Sequence, residues 1–65
     1  MIRVNDQELD YEPGLTVRRL LEREGLASSM VALWIGDQMV RRAEYDATLV
    51  PDEADVKIVL MAAGG

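Results

Sequence analysis

The stretch that decides the fold is LTVRRLLEREG, residues 15–25. Thr16 suits a helix N-terminus, because its hydroxyl can accept a hydrogen bond from a free backbone N–H of the first turn. Gly25 suits the left-handed position that follows a helix. Three apolar residues between them recur at helical spacing on one face: Val17, Leu20 and Leu21. The stretch therefore predicts one short amphipathic helix that packs by one face.

Two short strands are predicted before this helix. Residues 2–4 alternate apolar and polar side chains, and Asn5-Asp6 has the composition of a tight turn. Residues 7–10 continue as a second, more polar strand, and Pro13-Gly14 then interrupts the pattern. The chain is therefore expected to open with a hairpin.

Three more strands are predicted after the helix. Residues 30–35 form an apolar run, Gly36-Asp37 suits a tight turn, and residues 38–40 follow as the partner strand. Residues 41–48 have no clean period and predict an irregular connection with a short helical turn. The apolar run 56–61 predicts the last strand.

The predicted order is strand, strand, helix, strand, strand, strand. With 65 residues and no internal repeat, residues 1–65 are expected to form a single domain. One helix covers only one face of a sheet, whereas parallel sheets usually need helices on both faces. We therefore predict an α+β fold, in which a mixed sheet of four to five strands carries one main helix on one face.

Period-two alternation divides the side chains of the third and last strands between the two faces of the sheet. The residues expected to point to the core are Val31, Leu33, Ile35, Val56, Ile58 and Leu60. Trp34, Val59 and Met61 then lie on the opposite face, where exposed apolar side chains are typical of a docking surface. A register shifted by one residue would instead place Trp34 in the core.

The composition excludes several kinds of site. The chain has no histidine and no cysteine, so it lacks a histidine base, a thiol nucleophile, and nitrogen or sulfur ligands for a transition metal. The acidic residues in 52–55 lack the loop pattern of a calcium site, so no metal is expected. The net charge of −5 disfavours nucleic acid. It is consistent both with a partner that has a basic surface and with a domain kept soluble by its charge.

The sequence also lacks the features of a secreted or membrane protein. The N-terminus has no basic stretch followed by a long apolar segment, and no apolar run approaches the roughly 20 residues of a membrane-spanning helix. A cytoplasmic protein that does not bind membranes is expected.

The sequence ends in Gly64-Gly65. Glycine has no side chain, so a backbone of this kind can thread a narrow channel. Ala62 and Ala63 lengthen the slim segment, and residues 62–65 are expected to form a flexible C-terminal tail. The tail suits presentation of the Gly65 carboxylate to another protein's active site, with Gly64 providing access. The alternative is a frayed end that happens to be glycine.

Several stretches carry a family resemblance: residues 2–6, 15–21, 31–37, 40–42, 44–45 and 55–59, together with Gly64-Gly65. They resemble the small sulfur-carrier proteins of thiamine biosynthesis, which are ubiquitin-like β-grasp domains ending in Gly-Gly and are related to the molybdopterin-type carriers. The chain departs from the family pattern at residues 36–37, 41–42 and 53–55. These departures leave open which pathway the carrier serves, with thiamine as the first choice.

The resemblance implies a carrier rather than an enzyme. A terminal carboxylate is ionised at neutral pH and is a poor electrophile, so a ThiF-like adenylating enzyme would use ATP and magnesium to form an acyl-adenylate on Gly65. A cysteine desulfurase or another persulfide donor would supply sulfur, and a thiazole synthase would consume the resulting Gly65 thiocarboxylate. The chain itself would bind no cofactor and would be a monomer when alone. The residues expected to contact partners are Trp34, Val59, Met61, Ala62 and Ala63.

Three alternatives stay open at this point. A carrier of the same kind could deliver sulfur to molybdopterin or to another pathway, although the absence of phenylalanine argues against the molybdopterin branch. A ubiquitin-like modifier would instead join Gly65 to target lysines through an isopeptide bond. A plain interaction module would use its sheet alone and form no covalent bond.

Overall fold

Five strands and one α-helix are present in residues 1–61, the part of the chain that the computed structural model describes. In chain order the elements are β1 (Ile2–Val4), β2 (Gln7–Leu9), α1 (Val17–Arg23), β3 (Val31–Ile35), β4 (Gln38–Val40) and β5 (Asp55–Leu60). Short 3-10 turns at Ser28–Met30 and Arg42–Glu44 lie in the connections. The predicted order of elements is confirmed, with the strand limits displaced by one residue at some ends.

The strands form one mixed sheet in the order β2-β1-β5-β3-β4. β1 runs parallel to β5, and the other neighbouring pairs are antiparallel. The last strand along the chain is therefore the central strand of the sheet. This arrangement, with one α-helix, is the ubiquitin-like β-grasp fold, and it confirms the predicted α+β class.

The helix ends at the two residues that the sequence marks. The Thr16 hydroxyl accepts a hydrogen bond from the Arg19 N–H at 3.1 Å. At the other end Gly25 has a φ of 70°, its N–H donates to the Glu22 carbonyl, and the Leu26 N–H donates to the Leu21 carbonyl. This pair of bonds is the Schellman arrangement that closes helices on a left-handed residue.

The first hairpin turns at Asn5 and Asp6. Both residues have positive φ, 50° and 71°, as a type I′ two-residue turn requires. Asparagine and aspartate tolerate this conformation better than other residues with side chains. The turn fixes the register of β1 and β2 so that Val4 lies opposite Gln7.

The core is one cluster of buried side chains between the helix and the sheet. Its members from α1, β3 and β5 are Val17, Leu20, Leu21, Val31, Leu33, Val56 and Ile58. Ile35 is half-buried and packs against the cluster. The predicted inward face of β3 is therefore confirmed.

Leu60 was expected in this core, and that prediction is wrong. Its side chain is 67% exposed. Alternation places Leu60 on the same face as Val56 and Ile58, but β1 pairs with β5 only at Asp55 and Val56. Beside Leu60, β5 therefore has no neighbouring strand among residues 1–61 on the β1 side. The Leu60 side chain is exposed to solvent for that reason, although it lies on the same face of the sheet as the core residues.

Candidate functional site

The face of the sheet opposite the helix carries an apolar surface centred on β3. Trp34 lies directly opposite Met39 of β4 on one side and Lys57 of β5 on the other. Ala32 lies opposite Val59. Residues paired across antiparallel strands share a face, so all of these side chains lie on one side of the sheet. We call Ala32, Trp34, Met39 and Val59 the open face.

The exposure of these side chains shows that the open face lies outside the core. Met39 is 58% exposed and Val59 41%, whereas Trp34 is half-buried. Ala32 is buried but does not belong to the core cluster. The alternative register with Trp34 in the core is therefore wrong, because Leu33 occupies the inward position.

The end of β5 continues this apolar surface towards the C-terminus. The Met61 N–H donates to the Met30 carbonyl at 2.8 Å, which extends the pairing of β3 with β5 by one residue. Met30, Leu60 and Met61 are all exposed. The chain therefore leaves the sheet through a cluster of exposed apolar side chains.

The backbone N–H and carbonyl groups of successive β5 residues point alternately to β3 and to β1. The Gly36 N–H donates to the Asp55 carbonyl at 2.8 Å, so Asp55 and Met61 face β3. Val56 and Ile58 face the other way, and the Asn5 N–H donates to the Val56 carbonyl at 3.0 Å. By the same alternation the backbone groups of Leu60 point to the β1 side, where no described residue bonds them.

The Asn5 side chain occupies the gap where β1 ends. Its Nδ2 donates to the Ile58 carbonyl at 3.0 Å, and its Oδ1 accepts from the Ile58 N–H at 2.8 Å. The amide thus bonds both backbone groups of Ile58, as a residue of a neighbouring strand would. A shallow groove of about 420 Å³ lies beside it, lined among others by Asp6, Gly36 and Lys57.

Charged groups with shifted pKa values lie away from the open face. A hydrogen bond with Asp52 raises the pKa of the Met1 amino group, and the same bond lowers the pKa of Asp52. The Asp46 carboxylate raises the pKa of Arg18. Each of these groups is solvent-exposed, so water screens both ion pairs and each pair contributes little to stability.

Residues 1–61 hold no group of three or more carboxylate, histidine or cysteine side chains placed to bind a metal ion. Within the same range no helix has the length and apolar character needed to cross a membrane.

The structure brings together only part of the predicted site. Trp34 and Val59 share the open face, and Met61 follows at the end of β5. Four predicted residues lie outside the described part of the chain: Ala62, Ala63, Gly64 and Gly65.

Met39 and Leu60 are exposed residues that the sequence analysis missed. The two-residue turn at Gly36-Asp37 sets the register of β3 and β4. The position of Met39 opposite Trp34 could therefore have been predicted from the turn. No local pattern in the sequence could have shown that Leu60 is exposed, because its exposure depends on where β1 ends beside β5.

Solved structures share this whole arrangement. The crystal structure of the thiamine biosynthesis protein ThiS from Geobacter metallireducens matches with a TM-score of 0.79 and 27% identity, covering 98% of this chain and 97% of that chain. The chain is therefore similar in structure to ThiS. The solution structure of a thiamine biosynthesis protein from the same organism matches this chain with a TM-score of 0.77 and 27% identity, covering 98% of this chain and 86% of that chain. The resemblance inferred from sequence is thereby confirmed.

Comparison of the sequence with models of protein families finds no match, and comparison with curated proteins finds none either. The similarity to ThiS is therefore a similarity to solved structures.

Proposed function

We propose that this chain is a sulfur carrier of thiamine biosynthesis. The observation that carries the proposal is the match to ThiS, which extends over 98% of this chain and 97% of the ThiS chain. An agreement of that extent covers the helix, all five strands and the connections between them. Because nearly the whole of both chains aligns, the match is not confined to one common hairpin.

The reactive group in this proposal is the carboxylate of Gly65. A partner enzyme with ATP and magnesium joins the carboxylate to AMP and releases pyrophosphate, which turns a poor electrophile into a reactive acyl-adenylate. A persulfide sulfur of a donor protein attacks the acyl carbon and AMP leaves. A thiol then reduces the resulting acyl disulfide and leaves a thiocarboxylate on Gly65.

In this cycle the protein is a cosubstrate and not an enzyme. It contributes no histidine base and no cysteine thiol, since the sequence has neither residue. The adenylating enzyme, the persulfide donor and the thiazole synthase supply the chemistry. We place the cycle in the cytoplasm, and Gly64 gives the terminal carboxylate access to recessed active sites.

The open face is the docking surface in this proposal. Trp34 is a half-buried aromatic between Met39 and Lys57, and aromatic anchors of that kind dominate many interfaces. The exposed Val59 and Met61 lead from it along β5. Ala62 and Ala63 then extend the contact towards the partner's active site.

Mass spectrometry of the intact protein tests the proposal. Incubation with ATP, magnesium, a ThiS-adenylating enzyme and a persulfide donor should replace one oxygen by sulfur in the wild-type chain. A variant lacking Gly65 is the matched control and should keep its mass. An unchanged wild-type mass, with an enzyme that is active on its own carrier, would contradict the proposal.

The alternative functions give different results. A modifier would produce a ladder of conjugates in cells that disappears when Gly65 is deleted. A carrier for molybdopterin or another pathway would form the thiocarboxylate but would not support thiazole formation by a thiazole synthase.

A further inference from the structure

The side chain of Asn5 forms the two hydrogen bonds with β5 that the backbone of a longer β1 would form. β1 ends at Val4, and its pairing with β5 reaches only Val56. Two residues further along β5, the Asn5 amide bonds both the N–H and the carbonyl of Ile58 at 2.8 and 3.0 Å. These two partly buried bonds join residues that are 53 positions apart in the chain. β5 is therefore held on both edges as far as Ile58.

Beyond Ile58, residues 1–61 form hydrogen bonds with β5 only on its β3 side. The backbone of Leu60 faces the β1 side, where no residue of 1–61 bonds it, whereas Met61 still bonds Met30 on the β3 side. From Val59 onward β5 is thus held by one neighbour. A strand held on one edge can twist and fray about that edge more freely than one held on two.

We propose that Asn5 is a positioning residue that fixes the point and direction in which the C-terminal segment leaves the sheet. The inference rests on the proposed function, because the direction of exit matters when Gly65 must enter a partner's active site. From Ile58 to Gly65 the chain can span at most about 25 Å, at roughly 3.3–3.6 Å per residue. Because the reach is this short, a change of direction at Ile58 moves the region that the reacting carboxylate can reach, and misplacement of a reacting group slows reaction after binding.

The turn at Asn5 and Asp6 orients the Asn5 amide. Asn5 and Asp6 both have left-handed backbones, which directs the Asn5 amide towards β5 while the chain reverses into β2. Asn5→Gly keeps a residue that tolerates positive φ and removes only the amide. The variant therefore separates the two roles of Asn5, in the turn and in holding β5.

Steady-state adenylation by the partner enzyme, with Asn5→Gly as substrate, tests the inference. We expect kcat to fall about tenfold, equivalent to about 1.4 kcal/mol, while the Kd for the enzyme stays within about twofold because the open face is intact. Thr16→Ala is the matched control. It removes a helix cap that makes no hydrogen bond with β5, lowers stability by about 1 kcal/mol, and should leave both constants unchanged.

Hydrogen exchange at the Ile58 amide supplies a second readout. In Asn5→Gly this amide should exchange about tenfold faster relative to the buried amides of α1, whereas in Thr16→Ala that ratio should not rise. Should Asn5→Gly fail to fold, Asn5→Asp retains the acceptor for the Ile58 N–H but loses the donor to its carbonyl, and it should also lower kcat.

The possible outcomes separate the inference from the proposed function. A wild-type kcat for Asn5→Gly, or an equal fall in Thr16→Ala, would overturn the positioning role alone. Failure of the unaltered chain to be adenylated would overturn the proposed function and this inference together.

Discussion

At the scale of single residues, the open face depends on the placement of Trp34. Its neighbours in the chain, Leu33 and Ile35, pack in or against the core, so alternation directs the indole to the other side of the sheet. Opposite it lie an exposed methionine and an exposed lysine, Met39 and Lys57. The indole is thus the largest side chain on a surface that the helix does not cover.

Trp34→Ala should weaken binding to the adenylating enzyme by about thirtyfold or more, because truncation of an aromatic anchor typically costs about 2 kcal/mol or more. The fold should lose about 1 kcal/mol or less, since Trp34 lies outside the core cluster. Calorimetric titration and urea unfolding measure the two quantities. Trp34→Phe, which keeps an aromatic ring, is the control and should bind nearly as well as wild type. Severe unfolding of Trp34→Ala would show that the indole supports the core.

The exposed pair of Met1 and Asp52 predicts a pH dependence. The amino group and the carboxylate lie 2.9 Å apart. Their hydrogen bond raises the amino pKa above 8.0 and lowers the Asp52 pKa below 3.8. The amino group thus stabilises the fold fully below pH 8.0 and loses that contribution as the pH rises through its folded pKa. Asp52 contributes above pH 3.8, and its contribution is lost as the pH falls through its folded pKa.

Asp52→Asn should therefore lower the Tm slightly at pH values between the folded pKa of Asp52 and the folded pKa of the amino group. The difference in Tm between variant and wild type should disappear at lower and at higher pH. Salt should reduce the effect, because the pair is exposed and is screened. Thermal unfolding of both proteins across the pH range measures it. A difference of the same size at about pH 2 and at neutral pH would assign the effect to something other than this ion pair.

At the scale of elements, the seven-residue helix α1 depends on its two ends. An isolated helix of this length is unstable in water, so packing and capping must supply its stability. Thr16 satisfies an N–H of the first turn, and Gly25 allows the chain to reverse without strain. No atom lies within 4 Å of a methyl group placed on Gly25, so only the backbone conformation opposes a larger residue there.

Thr16→Ala and Gly25→Ala should each lower the free energy of unfolding by about 1 kcal/mol. The two sites lie at opposite ends of the helix and share no hydrogen-bond partner, so the double variant should lose about 2 kcal/mol. Urea unfolding of the three variants checks this. A loss well above the sum would indicate that the helix unfolds as a unit when one end is already open.

The elements also show what the sequence could predict. Both hairpins were predictable, because Asn5-Asp6 and Gly36-Asp37 carry their turn signals locally. The face of Trp34 followed from alternation within one strand. The exposure of Leu60 and the bonds of Asn5 to Ile58 were not predictable, since they depend on where β1 stops beside a strand that lies more than 50 residues away.

At the scale of the whole molecule, binding and chemistry belong to separate parts of the proposed carrier. The helix covers one face, the open face is left for a partner, and the reacting carboxylate lies at the end of the chain. Residues that hold the fold can therefore be distinguished from those that act on a partner.

Adding one alanine after Gly65 should abolish thiocarboxylate formation, because the carboxylate then lies one residue beyond its correct position and carries a side chain. The Tm and the binding of the adenylating enzyme should stay close to their wild-type values, since neither the core nor the open face changes. Intact-mass measurement after the complete reaction provides the test. Thiocarboxylate on the extended chain would show that the terminal position is not selected.

The place of β5 in the sheet has a consequence for the order of folding. β5 is the last strand along the sequence, yet both halves of the sheet join through it. During synthesis the hairpin β1-β2, the helix and the hairpin β3-β4 therefore emerge without the strand that unites them. Contacts that close over such long separations form late. Before residues 55–60 have been made, the two hairpins and the helix therefore lack the strand that joins them, and the sheet cannot form as one unit.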